Sequence, residues 1–227
     1  MRRYHYFVPI FLQKIGYVLS WFLLKIFVRI EIRGKENLEN LSGSLIVASN
    51  HTSELDPLVF PLLFPFFSKY LPLYFVSNPE EKFRTFGWRS YFYGGVFFNF
   101  LGAYPIFSGK HNYGYALQSH IELLRKGRTV CIFPEGRRTR DGNLQHGHGG
   151  VAYLSYITQA SVVPIAINTF FNMSVKDFLP FRHKVVVTIG QPMPFSVVVP
   201  ENNPEVTDFK AGGQRVMDEI GKLMKSV

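Results

Sequence analysis

A histidine and an aspartate stand five positions apart in the stretch SNHTSELDPLVF, Ser49–Phe60, between two apolar segments. On an unbroken helix His51 and Asp56 would lie about 140° apart, too far around to meet easily. Pro57 suits the first position of a helix and Asp56 the cap before it, so residues 51–55 read as a turn that can fold the carboxylate back against the imidazole. A carboxylate that accepts the Nδ1 proton fixes the tautomer, stabilises the imidazolium and leaves Nε2 as a base near neutral pH. The plainer alternative is that Asp56 caps a helix and His51 fills a loop.

A second constellation is FPEGRRTRDGNLQHGHGG, Phe133–Gly150, which gathers Arg137, Arg138 and Arg140 around Glu135 and several glycines. Guanidinium groups contact phosphate through two parallel hydrogen bonds, and glycines let backbone N–H groups approach an anion closely. A solvated basic loop is the alternative here. The other phosphate-loop and nucleophile signatures, G-x-x-x-x-G-K-[ST], G-x-G-x-x-G and G-x-S-x-G, do not occur. His146 and His148 have neither nearby cysteines nor a convincing carboxylate partner, so no metal site is expected.

The elements around these motifs must position them. VRIEIRG (28–34) alternates like a half-exposed strand. SLIVAS (44–49), LYFVS (73–77), TVCIF (129–133), VVPIAI (162–167) and KVVVTIG (184–190) read as further strands. Helices are expected over 80–91, 113–126, 150–158 and 204–225. Strands alternating with helices predict an α/β fold, a single domain whose largely parallel central sheet is flanked by helices. Both motifs follow a strand, and in such sheets chemistry gathers on loops at strand carboxyl ends.

Composition narrows the partners. Lys and Arg outnumber Asp and Glu by 25 to 16, a formal charge of +9, which favours an anionic partner. With 23 Phe and 12 Tyr, much of it in runs such as VFPLLFPFF (59–67), lipid is favoured over nucleic acid. The one cysteine, Cys131, excludes an intramolecular disulfide framework; it reads as a packing residue in a reducing, cytosolic setting. Between Lys14 and Lys25 the chain is nearly all apolar, yet shorter than the roughly 20 residues a span requires. Lys14, Tyr17, Trp21, Lys25 and Arg29 fall in one helical sector, with Ile15, Leu19, Phe22, Leu23, Ile26 and Phe27 spread over the rest. That pattern predicts a helix lying in the membrane interface, with a snorkelling transmembrane span and an ordinary core helix as the alternatives. Residues 1–28 are therefore expected to be an amino-terminal membrane-associated helix preceding a domain over 29–227. No secretory signal is expected, because no small-residue cleavage site follows the apolar run.

Taken in order, NHTSELD, FPEGRRT and VVPIAI resemble the blocks of the glycerolipid acyltransferases typified by 1-acylglycerol-3-phosphate acyltransferase, across about residues 30–190. The resemblance implies that His51 is the general base and Asp56 its partner. It also implies that Glu135, Gly136, Arg138 and Thr139 belong to the block associated with acceptor binding, and that Pro164 shapes the acyl-donor side. Arg137 lies in the same block. Where the family commonly places an arginine this chain has Ser108, with Lys110 two positions on as a substitute. Gln145 and His146 replace another basic residue. The activity implied is transfer of a fatty acyl group from acyl-CoA or acyl-acyl carrier protein to lysophosphatidate, at the cytoplasmic face of a membrane, with no cofactor. Another lysolipid acceptor, an acyl-thioester hydrolase and a non-catalytic membrane-binding protein stand as alternatives.

Overall fold

Short apolar runs without alternation belong to strands covered on both faces. A computed structural model describes residues 6–27, 29–53, 56–78, 99–107, 112–168 and 184–225. Among them, β1 (Arg29–Arg33), β2 (Leu45–Ser49), β3 (Leu73–Ser77), β4 (Ala103–Pro105), β5 (Thr129–Ile132), β6 (Ser161–Asn168) and β7 (Lys184–Ile189) form one sheet. Its order is β1-β7-β6-β2-β5-β3-β4. Every neighbouring pair is parallel except β6 and β7. The helices are α1 (Phe7–Phe27), α2 (Asp56–Val59), α3 (Tyr113–Ala116), α4 (Gln118–Arg125), α5 (Gly150–Thr158), α6 (Phe195–Val198) and α7 (Val206–Lys225).

The expected α/β fold with a largely parallel sheet is what forms. Two short elements, β4 and α6, have no counterpart in the sequence reading, because three or four residues are too few to show a period. The helix expected over 113–126 breaks at Leu117 (φ −106°, ψ 12°) into α3 and α4. The helix expected over 80–91 lies outside the described residues.

Side chains alternate across β2 into two cores. Ile46 and Ala48 join Val130, Ile132, Val162 and Ala166 beneath α4, α5 and α7. Leu45 and Val47 join Cys131, Val163, Ile165 and Val187 on the opposite face, beneath Val59, Phe60 and Leu63. Each fully buried Val, Leu, Ile or Phe contributes about 1.5–3 kcal/mol. Cys131 is fully buried, and burial pushes its thiol pKa up, so it packs as an inert apolar group. His120 on α4 is also fully buried, near the backbone of Phe75 and Tyr104, and its ring nitrogens make no well-formed hydrogen bond. Burial holds its pKa down to about 4, so it stays neutral.

α1 packs on the second core with its polarity inverted. Its buried positions include Gln13 and Ser20, whereas Phe7, Phe11, Ile15, Val18, Phe22 and Ile26 are exposed. Those exposed positions recur at intervals of three and four and form one stripe. Gln13 Nε2 donates to the carbonyls of Leu73 (2.7 Å) and Leu101 (2.8 Å), and Leu73 N–H donates to Gln13 Oε1 (2.8 Å). Gly102 makes room for this contact: at φ +93° a Cβ would meet the Leu73 oxygen at 2.5 Å and Gln13 Nε2 at 3.0 Å. The expected basic sector divides, since Tyr17 packs against Phe66 while Arg29 belongs to β1. No described helix is long and apolar enough to cross a membrane.

A buried polar anchor and an exposed apolar stripe should respond oppositely to mutation. Gln13→Leu strands a backbone N–H and two carbonyls, and is expected to cost about 2–4 kcal/mol, roughly 5–15 °C in Tm. Ile15→Ser should cost less than about 0.5 kcal/mol. Thermal unfolding followed by circular dichroism checks both; equal losses would contradict the inverted docking.

Candidate active site

β2 and β5 are adjacent and parallel, with Ala48 opposite Ile132. The chain therefore leaves both strands at the same edge, which brings His51 against the Phe133–Gly150 loop. Asn50 fixes the start of the turn: its Nδ2 donates to Ile167 O (2.9 Å) and its Oδ1 accepts Ile167 N–H (2.8 Å), tying it to β6. The turn then folds back as its sequence requires. His51 Nδ1 lies 2.8 Å from Asp56 Oδ2, and the same oxygen accepts the N–H groups of Thr52 (2.7 Å) and Ser53 (2.9 Å). Thr52 Oγ1 donates to the other oxygen at 3.1 Å. A fully buried carboxylate is costly unless its lone pairs are satisfied, and these four donors do so. An ionised carboxylate only accepts, so Nδ1 carries the proton. The His51 side chain is 20% exposed, and its Nε2 has no hydrogen-bond partner among the described residues.

The main chain of His51 is held from both sides by the second loop. Its N–H donates to Glu135 Oε1 at 2.7 Å, and its carbonyl accepts Thr139 N–H at 2.9 Å. Its ring stacks on Phe133, centroids 4.0 Å apart and planes 14° from parallel, and Phe60 meets Phe133 edge-on at 5.6 Å. Glu135 Oε2 accepts Gln145 N–H at 3.0 Å, so one buried carboxylate joins the histidine turn to the far side of the arginine loop. Burial raises the Glu135 pKa, against the two backbone N–H donors that lower it. Thr139 Oγ1 contacts Asp141 (2.9 Å), donates to Asn143 O (2.8 Å) and accepts Gly142 N–H (3.1 Å). Glu135 and Thr139 thus brace loops, a role that sequence reasoning missed because it depends on the adjacency of β2 and β5.

The three arginines of the loop gather on its exposed side. Arg137, Arg138 and Arg140 are exposed and, with Asp141 and Gln145, line an open cavity of about 230 Å³. Hydrogen bonds, chiefly from Asn143, hold the Asp141 pKa down to about 2, so its charge offsets one of the three cations. Gly136 sits at φ +66° in the turn that presents them, its N–H bonded to Phe133 O at 3.0 Å. The later glycines serve packing. A Cβ at Gly147 would lie 2.4 Å from the Gly213 oxygen of α7, so the loop rests directly on that helix. Pro164 is not brought to this site: it lies against Gly190 and Leu223 beneath α7, on the opposite face of the sheet from His51. Lys110 and Ser108 lie outside the described residues. No cluster of metal-ligating side chains occurs among the described residues.

The acyltransferase family profile matches residues 29–168, which include His51, Asp56 and the arginine loop. The chain belongs to that family. A chloroplastic 1-acyl-sn-glycerol-3-phosphate acyltransferase of Arabidopsis thaliana is 28% identical over 174 residues, covering 73% of this chain and 41% of that protein. The 1-acyl-sn-glycerol-3-phosphate acyltransferase of Borreliella burgdorferi is 23% identical over 155 residues, covering 67% and 56%. The chain thus spans about half the length of these curated relatives. The crystal structure of the 1-acyl-sn-glycerophosphate acyltransferase PlsC of Thermotoga maritima shares the fold, with a TM-score of 0.62 at 19% identity over 95% of this chain and 80% of that one. In this family member α1 and α7 lie outside the matched segment.

The braced position of Glu135 separates two roles. If it holds His51 in place, Glu135→Gln turns an accepting oxygen into a donor facing an N–H, and kcat should fall about 10- to 100-fold with little change in the acceptor KM. A raised acceptor KM at unchanged kcat would mean that Glu135 contacts substrate. Steady-state kinetics with the acceptor varied makes the distinction.

Proposed function

We propose that the protein transfers a fatty acyl group from an acyl thioester to the hydroxyl of a lysophosphatidate-like acceptor, making phosphatidate. The observation that carries the reading is His51, its Nδ1 bonded to buried Asp56 and its Nε2 without a hydrogen-bond partner among the described residues, beside the loop of three arginines. In this mechanism Nε2 takes the proton of the acceptor hydroxyl and the oxygen attacks the thioester carbonyl. The tetrahedral intermediate collapses, the C–S bond breaks and the thiol leaves with a proton returned by the imidazolium. Asp56 stays ionised and stabilises the imidazolium, so no acyl-enzyme is needed. Arg138, with Arg137 and Lys110, holds the acceptor phosphate and so orients the hydroxyl at the base. Acyl-CoA or acyl-acyl carrier protein is the donor, and no cofactor enters.

Both lipid substrates lie in a bilayer, and the exposed stripe of α1 supports attachment there; the cytoplasmic face is proposed because a chain with one cysteine suits a reducing side. Buried Gln13 and exposed Phe11, Ile15 and Phe22 are what a helix lying in the interface presents. One sequence feature favours a second acceptor: Ser108 stands where relatives of this type commonly carry an arginine, which suits a lysolipid with a larger headgroup.

Mass spectrometry of products formed from acyl-CoA or acyl-acyl carrier protein and a panel of lysolipids tests the reaction. Phosphatidate from lysophosphatidate is expected, and free fatty acid formed without acceptor dependence would establish hydrolysis instead. Arg138→Ala should raise the lysophosphatidate KM about 10- to 100-fold, the worth of a charge-assisted contact, with Arg138→Lys recovering part. If a zwitterionic lysolipid is used as well and Arg138→Ala affects both equally, lysophosphatidate is not the acceptor.

A further inference from the structure

Turn tips favour Gly, Pro, Asn, Asp and Ser, which supply the backbone geometry and face water. The turn closed by Ser68 N–H to Pro65 O (2.8 Å) has Phe66 and Phe67 at its two central positions. Phe67 is 85% exposed, the most exposed large apolar side chain among the described residues. The turn is braced. Tyr70 Oη and Lys69 Nζ both donate to Leu41 O, at 2.6 and 3.2 Å.

Its rings are joined to α1. Phe66 meets Phe67 edge-on at 4.9 Å and Tyr17 of α1 at 5.3 Å. The Lys14 ammonium lies over both rings, 5.1 and 4.9 Å from their centroids. On the helical wheel Lys14 and Lys25 fall along one edge of the exposed apolar stripe, and Lys25 lies over Trp21 at 4.4 Å. The stripe and the turn therefore adjoin, with lysines between and beside aromatic rings. Aromatic rings next to lysines are what the headgroup layer accommodates, and a chain of net charge +9 selects an anionic one. A soluble partner matching this surface would need to cover a whole helix and a separate turn, whereas a bilayer does so without a matched shape.

We propose that the Phe66–Phe67 turn is a second membrane-insertion point, which with α1 seats the protein on an anionic bilayer by the sheet face that carries His51. The proposal rests on the reading of α1 as an interfacial helix. It adds a fixed orientation, because a helix alone can roll about its axis and two braced contacts cannot.

Cys131 is buried, so a fluorophore can be attached selectively to Phe67→Cys, with Lys222→Cys on α7 as a control beyond the opposite core. With vesicles of phosphatidylcholine and phosphatidylglycerol, an environment-sensitive probe at position 67 should shift to the blue and be quenched by lipids carrying a nitroxide near the headgroup. The probe at 222 should do neither. Phe66→Ser combined with Phe67→Ser should weaken sedimentation with these vesicles about tenfold or more. A probe at 67 that stays water-like on vesicle-bound protein overturns the proposal. So does a blue shift that grows with protein concentration in the absence of vesicles, which would identify a second copy as the occupant. None of these measurements reads turnover, so an inactive protein would not change the result. If Phe11→Asp abolishes vesicle binding while the position-67 probe on vesicle-bound protein with Phe11 intact stays in water, the turn has no insertion role and α1 and the proposed reaction stand.

Discussion

The main chain of His51 is gripped by a loop that begins 82 residues later in sequence, and the candidate site depends on that grip. Glu135 takes its N–H and Thr139 donates to its carbonyl. With the backbone fixed, the five-residue return to Asp56 determines where the ring points. The Asp56 carboxylate is tolerated without solvent because three hydrogen bonds besides the histidine contact satisfy it. This leaves the imidazole in one tautomer with its second nitrogen outward, which costs no reorganisation when a proton must move. The same loop carries the arginines, so in the proposed reaction a few hydrogen bonds would set the position of the acceptor phosphate relative to His51.

The sheet separates this site from the rest of the core. α4, α5 and α7 cover one face; α1, α2 and the aromatic turn after it lie on the other, with the His51 ring stacked above Phe133. α7, outside the family-matched segment, still reaches the site indirectly through its glycine step against Gly147. Gln214 reinforces that contact by accepting Gly147 N–H at 3.1 Å. α1 meets the domain through Gln13 and offers its apolar residues to the surroundings, the reverse of an ordinary surface helix. Its docking relies on directional hydrogen bonds, which leaves the hydrophobic stripe available for lipid.

Local chemistry was legible in the sequence, and long-range chemistry was not. The contact between His51 and Asp56 could be inferred because a cap, a proline and five residues of chain determine it. The strands other than β4 were found because each carries its own signal, which three residues are too few to do. The resemblance placed Glu135 and Thr139 in a block associated with acceptor binding, and their bracing of the histidine turn was not legible, since nothing near them in sequence says that β5 lies beside β2. Pro164 was assigned to the right strand but faces away from His51: a strand buried on both faces has no polar alternation to show which residues face which way. The role of Gln13 left no mark in the sequence, because its partners, Leu73 and Leu101, are 60 and 88 positions away.

The most direct measurement is the turnover of His51→Ala, made on protein shown to keep the wild-type Tm and vesicle binding. Removing a side chain that is part exposed and whose backbone is held independently should leave the fold intact. The account predicts a fall in kcat of about 10²- to 10⁴-fold, the share that a positioned general base supplies. Turnover within a few-fold of wild type would contradict it, whatever the protein then proves to acylate.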